Sequence, residues 1–131
     1  MFYAYKVDIL TGAEMKLIIA ESYARLGDEA NAKKHLDEFR ATRYIDPSAV
    51  PAGNVLDDIL TERRKEFCFE PCMRWLDLNR LQPAMSRPAM DKKDGSEYKM
   101  EQGDYRYAFP IPRDYELQYN NIEQNPGWGA F

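Results

Sequence analysis

At 131 residues the chain is long enough for one domain and short of two. Hydrophobic residues make up 44% and charged residues 31%, which excludes the hydrophobicity-poor composition of a disordered chain. With 18 basic against 22 acidic residues the net charge is -4, and no basic block forms the stripe that tracks nucleic-acid phosphates. No apolar run approaches the ~18–20 residues that span a bilayer, and "MFYAYKVDIL" lacks the charged start, apolar stretch and cleavage site of a secretory signal.

The first strong element is "LTGAEMKLIIAESYARLGD". Thr11 as N-cap and Glu14 three residues later form a capping box, with Leu10 and Met15 as the flanking hydrophobic staple. Met15, Ile18, Ile19, Ser22, Tyr23 and Leu26 recur at helical spacing, so this is the face expected to be buried. Gly27 ends the helix and Asp28 caps a second one, on which Ala32, His35, Leu36 and Phe39 share a face. Two apolar stripes joined by so short a turn predict a helical hairpin over residues 11–43. Its Ile19-Ala20-x-x-Tyr23, Gly27-Asp28, Ala32, Leu36, Phe39 spacing matches the tetratricopeptide pattern, in which small residues let helices approach. One such hairpin leaves an apolar face to cover, by the rest of the chain, by another protein or by a second copy in a homodimer. His35, the only histidine, reads as a packed side chain, because no partner that would make it a base is evident.

After a loop holding Pro47, Pro51 and Gly53, Asn54 caps a third helix, which opens a charged helical block over residues 54–82. Pro71 is expected to break or kink it near Glu70, with Trp75, Leu78 and Leu81 turned inward beyond. Cys68, between Phe67 and Phe69, is expected to be a small buried hydrophobe. An i,i+4 spacing on a helix places Cys68 and Cys72 poorly for a disulfide, and the pair lacks the further ligands of a closed zinc site. Glu62, Glu66 and Glu70 stand four apart. Glu70 to Arg74 and Arg74 to Asp77 are spaced for ion pairs wherever helical geometry continues. Paired carboxylates could act as acid and base, but a charge network of Glu62, Arg63, Arg64, Glu66, Glu70, Arg74, Asp77 and Arg80, bracing helices where they meet, asks for less.

Residues 96–131 read as an extended tail. "SEYKMEQGDYRYAFPIP" suggests two short extended segments around Gly103-Asp104, with Tyr105, Tyr107 and Phe109 alternating as in a half-buried strand until Pro110 and Pro112 end the pairing. In "NNIEQNPGWGAF", Pro126-Gly127 favours a type II turn, and Trp128 and Phe131 are large enough to dock the tail. Most of Tyr98, Tyr105, Tyr107, Tyr115, Tyr119 and Trp128 suit a packed core. Tyr105, Tyr107 and Trp128 are the candidates for stacking on a sugar ring.

In order, "AEMKLIIAESYARLGD", "ILTERRKEFCFE..MRWLDLNR" and "YAFPIPRDYELQYNNIEQNPGW" resemble the C-terminal part of the SusD/RagB family of nutrient-binding outer-membrane lipoproteins of Bacteroidetes. The resemblance implies a mainly α protein: a tetratricopeptide-like hairpin, further helices and a small extended or β-hairpin C-terminal region. It implies lipid anchoring at the outer-membrane surface, capture of a glycan or other nutrient, and delivery to a SusC-like TonB-dependent transporter. Catalytic residues, metal and cofactor are not expected. In the family the Glu-Arg-Arg to Arg-Trp-x-Asp-Leu-x-Arg block looks like scaffold, here Glu62 to Arg80, with Pro71 where a glycine is usual. Family members are several times longer, so residues 1–131 are expected to form a single domain or C-terminal fragment. Two rival expectations are a stand-alone helical-repeat module that binds a peptide or protein, and a small hydrolase built on Glu62, Glu66 and Glu70.

Overall fold

A computed structural model of the chain describes residues 11–50 and 53–129, apart from the side chains of 114 and 115. The expected staple residue Leu10, Pro51 and Phe131 lie outside these, as does the side chain of Tyr115. The protein is mainly α-helical with one small antiparallel hairpin, as its sequence implies. It divides in sequence between Phe69 and Glu70 into two compact units.

The first unit holds α1 (Gly12–Arg25), α2 (Glu29–Ala41), a single tight turn at Pro47–Ala49 and α3 (Val55–Glu66). Thr11 caps α1 by accepting from the Glu14 N–H at 3.1 Å, Asp28 caps α2 through the Asn31 N–H at 3.1 Å, and Asn54 caps α3 through the Leu56 and Asp57 N–H groups. Gly27 takes φ +81, the left-handed value that lets the chain reverse in three residues, so α1 and α2 fold back on each other while α3 packs mainly against α1. Leu17, Ala20, Ala32, Leu36, Phe39, Ile59 and Phe67 form the core. Ala20 and Ala32 are fully covered, which is the close approach expected of the small residues in the tetratricopeptide spacing.

The buried face of α1 differs from the expected one. Leu17, Ala20 and Glu21 point inward, whereas Met15, Ile18 and Ile19 are about two-fifths exposed and Leu26 is more so. The helix is apolar nearly all round from Met15 to Ala20, so hydrophobic spacing fixes its rotation weakly. One polar contact ties that rotation to a neighbour, since Glu14 accepts from Arg63 of α3 at 3.1 Å, while buried Glu21 pairs within α1 by accepting from Arg25 at 2.8 Å. His35 is packed as expected, with its ring stacked on Tyr23 at 5.5 Å.

The break in the charged block also comes earlier. Helix α3 ends at Glu66, four residues before Glu70, and the Phe67 N–H closes it on the Arg63 carbonyl. Phe67, still in register with buried Ile59 and Arg63, stays inward, while beyond it Cys68 and Phe69 face solvent, so Cys68 is an exposed free thiol and not a buried hydrophobe.

The second unit begins with the turn that leads into α4 (Met73–Leu81), continues through β1 (Met85–Pro88) and β2 (Glu97–Met100), and ends in short turns. Cys72 enters α4 at φ +65 and Gln82 leaves it at φ +44. Of the side chains expected to point inward, Leu78 is buried, Leu81 is half-buried and Trp75 is partly exposed. The antiparallel register pairs Met85 with Met100 and Pro88 with Glu97. The extended segment at Glu97–Met100 therefore pairs with residues that precede it. The stretch after Gly103 is no strand: the Asp104 carboxylate accepts from the Arg106 N–H and curls Tyr105–Tyr107 into a tight helical turn.

Candidate functional site

The charged run resolves into separate ion pairs within each unit. In the first unit, buried Glu62 accepts from Arg40 Nε and Nη2 at 3.2 and 3.1 Å, from the Tyr44 hydroxyl at 2.7 Å and from Lys65 at 3.2 Å. Asp58 stands 3.6 Å from the same Arg40 nitrogen. Burial by itself would raise the Glu62 pKa, but the hydrogen bonds from Tyr44, Lys65 and Arg40 and the charge on Lys65 together hold it below the ordinary value. Glu66 is gripped by both prongs of Arg43 at 2.9 and 2.7 Å, and Arg43 also lies over the Phe39 ring. Arg63 bridges to Glu14 and covers Phe67. Arg40, Arg43 and Tyr44, which supply most of these contacts, come from the end of α2 and the turn after it. Nothing in the charged run points to them; their spacing of three and four residues is the one available signal.

In the second unit Asp77 is buried and accepts from Arg80 at 2.9 Å. Arg74 is exposed on α4. Glu70 lies on the turn between α3 and α4, so it shares no helical face with Glu62 and Glu66. Arg64 and Glu70 are exposed, with no ion pair among the described residues. Also among the described residues, no cluster of three His, Cys, Asp or Glu side chains could hold a metal ion.

The aromatic candidates separate by burial. Tyr107 is 2% exposed and its hydroxyl donates to the Pro83 carbonyl, which makes it a packed side chain. Tyr105 is 46% exposed and meets Trp128 edge to face at 5.2 Å. The type II turn is present: the Trp128 N–H donates to the Asn125 carbonyl at 3.2 Å, and Gly127 sits at φ +85. A Cβ on Gly127 would stand 2.4 Å from the Tyr105 ring, so the glycine is what lets the turn lie flat on the aromatic. The sequence gives no hint of a second aromatic pair, Trp75 stacked on Phe109 at 5.0 Å, with both rings partly exposed.

Side chains tie the last residues to the segment before them. Pro110 and Pro112 carry no N–H, which leaves Ile111 as the one donor among the three. Gln124 meets it twice, accepting from the Ile111 N–H at 2.8 Å and donating to its carbonyl at 3.0 Å. Asn125 donates to the Phe109 carbonyl at 2.7 Å and the Trp128 indole donates to the Ala108 carbonyl at 2.8 Å. The Pro-Ile-Pro alternation could have signalled that some side chain must supply this pairing. Between this tie and the short wide helical turn at Arg113–Leu117 lies a cleft of about 610 Å³.

The first unit neutralises its charge internally, and the second carries exposed aromatic surface and an apolar cleft, features that serve binding. The chain belongs to the SusD family, whose sequence model matches residues 10–128. No curated protein and no solved structure matched it. Proteins of this family bind carbohydrate or other nutrients at the cell surface and are not enzymes. None of the described helices is long and apolar enough to cross a membrane.

Proposed function

We propose that this chain acts within an outer-membrane, lipid-anchored nutrient-binding protein of Bacteroidetes that captures a glycan and passes it to a SusC-like TonB-dependent transporter. The observation that carries this reading is the family match, which runs through the helical hairpin, the charged block and the tail. The half-exposed ring of Tyr105, perpendicular to that of Trp128, is the part of the candidate set that offers aromatic surface to a sugar. Co-expression with a SusC-like transporter tests the delivery step. The expected result is a complex that survives purification and supports uptake of one oligosaccharide class; uptake that is unchanged when this chain is deleted would count against it.

A second reading is favoured by one observation, the apolar stripe of Met15, Ile18, Ile19 and Leu26 left exposed on α1. On that reading the hairpin is a helical-repeat module that docks a protein. Saturable binding that is lost in Ile18→Ser/Ile19→Ser, with no response to sugars, would support it over glycan capture.

A further inference from the structure

We propose that the cleft between residues 110 and 124 binds a small carboxylate with an apolar body, an aryl or branched-alkyl acid, and that Arg113 holds its charge. At about 610 Å³ the cleft falls within the range of small-molecule sites, roughly 300–1,000 Å³. Its walls are aliphatic: Pro110, Ile111, Pro112, Leu117 and Ile122. Among the described lining residues the polar side chains are Arg113, Gln118 and Gln124, and the last is already engaged. The Gln124 carboxamide oxygen accepts from the Ile111 and Asn125 N–H groups at 2.8 and 2.9 Å, and its nitrogen donates to the Ile111 carbonyl. Gln118 and Arg113 remain for a ligand.

That inventory selects the chemistry. A neutral sugar carries a hydroxyl on nearly every carbon, and aliphatic walls would strip water from them without replacing its hydrogen bonds. An apolar body gains from those same walls. Arg113 supplies the remaining specificity. It is an exposed residue that lines the cleft, and no described carboxylate pairs with it; nearby Glu116 accepts from Asn120 at 3.0 Å. A guanidinium fork beside an apolar wall matches a carboxylate at the end of a hydrocarbon body. The Gln124 tie holds the wall in place before any ligand arrives, so little ordering opposes binding.

The test is calorimetric titration of the full chain with 3-phenylpropionate and with 3-phenylpropan-1-ol, which has the same body without the charge. The acid is expected to bind saturably and the alcohol about tenfold more weakly, the size of one charge-assisted contact at an open site. Arg113→Gln should weaken the acid about tenfold and leave the alcohol unchanged, while Arg113→Lys keeps part of the preference. Ile122→Ser should weaken both. Circular dichroism melts confirm that each variant is folded, which the exposure of Arg113 and Ile122 favours. Equal binding of acid and alcohol, an acid affinity indifferent to Arg113→Gln, or no saturable binding of the acid at millimolar concentration would each overturn the proposal. The probes carry no sugar, so failure to bind oligosaccharides leaves this result unaffected.

Discussion

Glu62 shows how a single side chain can hold a helical unit together. Four donor contacts from Arg40, Tyr44 and Lys65 converge on its carboxylate, and breaking a buried pair from one side leaves the other charge without compensation. Glu62→Gln is expected to cost about 3 kcal/mol in urea unfolding at neutral pH. Because the folded state lowers the Glu62 pKa, its contribution is fully present above the ordinary glutamate value of 4.5 and is lost as pH falls from there through the folded value. The wild-type midpoint should therefore drop over that acid range, and the Gln variant should follow a flatter curve. Gly127 makes a different demand, for space and a left-handed backbone. Gly127→Ala combines a φ of +85 with a clash against the Tyr105 ring, and should destabilise by more than about 1 kcal/mol. The loss of the Trp128 near-ultraviolet circular dichroism signal would report the displaced turn.

The helices differ in how firmly they are placed. Helix α2 has a well-separated apolar stripe, and the residues expected to face inward, Ala32, Leu36 and Phe39, do so. Helix α1 carries apolar residues on more than one face, and its rotation is tied to α3 through Glu14. Paired truncations measure that rotation. Leu17→Ala is expected to cost about 2–5 kcal/mol, as for a fully buried side chain, and Ile18→Ala less than about 1 kcal/mol, each read as a shift in urea midpoint. Equal costs would mean that the stripe of Met15, Ile18 and Ile19 is covered in solution. The turn between α3 and α4 belongs to the same level. Its early start exposes Cys68, and a thiol reagent should label both cysteines in the native protein without a preceding unfolding step.

Across the molecule as a whole, membership of the SusD family and a mainly helical architecture agree, and the ligand is the open property. Melts of the full chain against a panel of oligosaccharides address it directly. A ligand at a hundred times its dissociation constant stabilises by about 2.7 kcal/mol, enough for a visible shift in midpoint. A cooperative transition shifted by one sugar class is the expected result if Tyr105 and Trp128 contribute to capture. A cooperative melt that no sugar moves would assign glycan contacts elsewhere and leave the protein-docking reading of the α1 stripe in front.

By itself the sequence determined what depends on near neighbours: the caps at Thr11, Asp28 and Asn54, the reversal at Gly27, the Pro126-Gly127 turn and the mainly helical class. Each rests on interactions within about four residues, so the pattern is written locally. It also carried the family, because three motif blocks in order outlast changes at any one position. Only the tertiary structure decided which face of α1 is buried, which of Tyr105 and Tyr107 is free to stack, and where the partners of Glu62 and Glu66 come from. These are mainly contacts between residues more than a dozen apart, and hydrophobic spacing says little when a helix is apolar on several faces. The cleft at Arg113 belongs with them: its wall exists only because Gln124 reaches back thirteen residues to the one N–H that the two prolines leave unpaired.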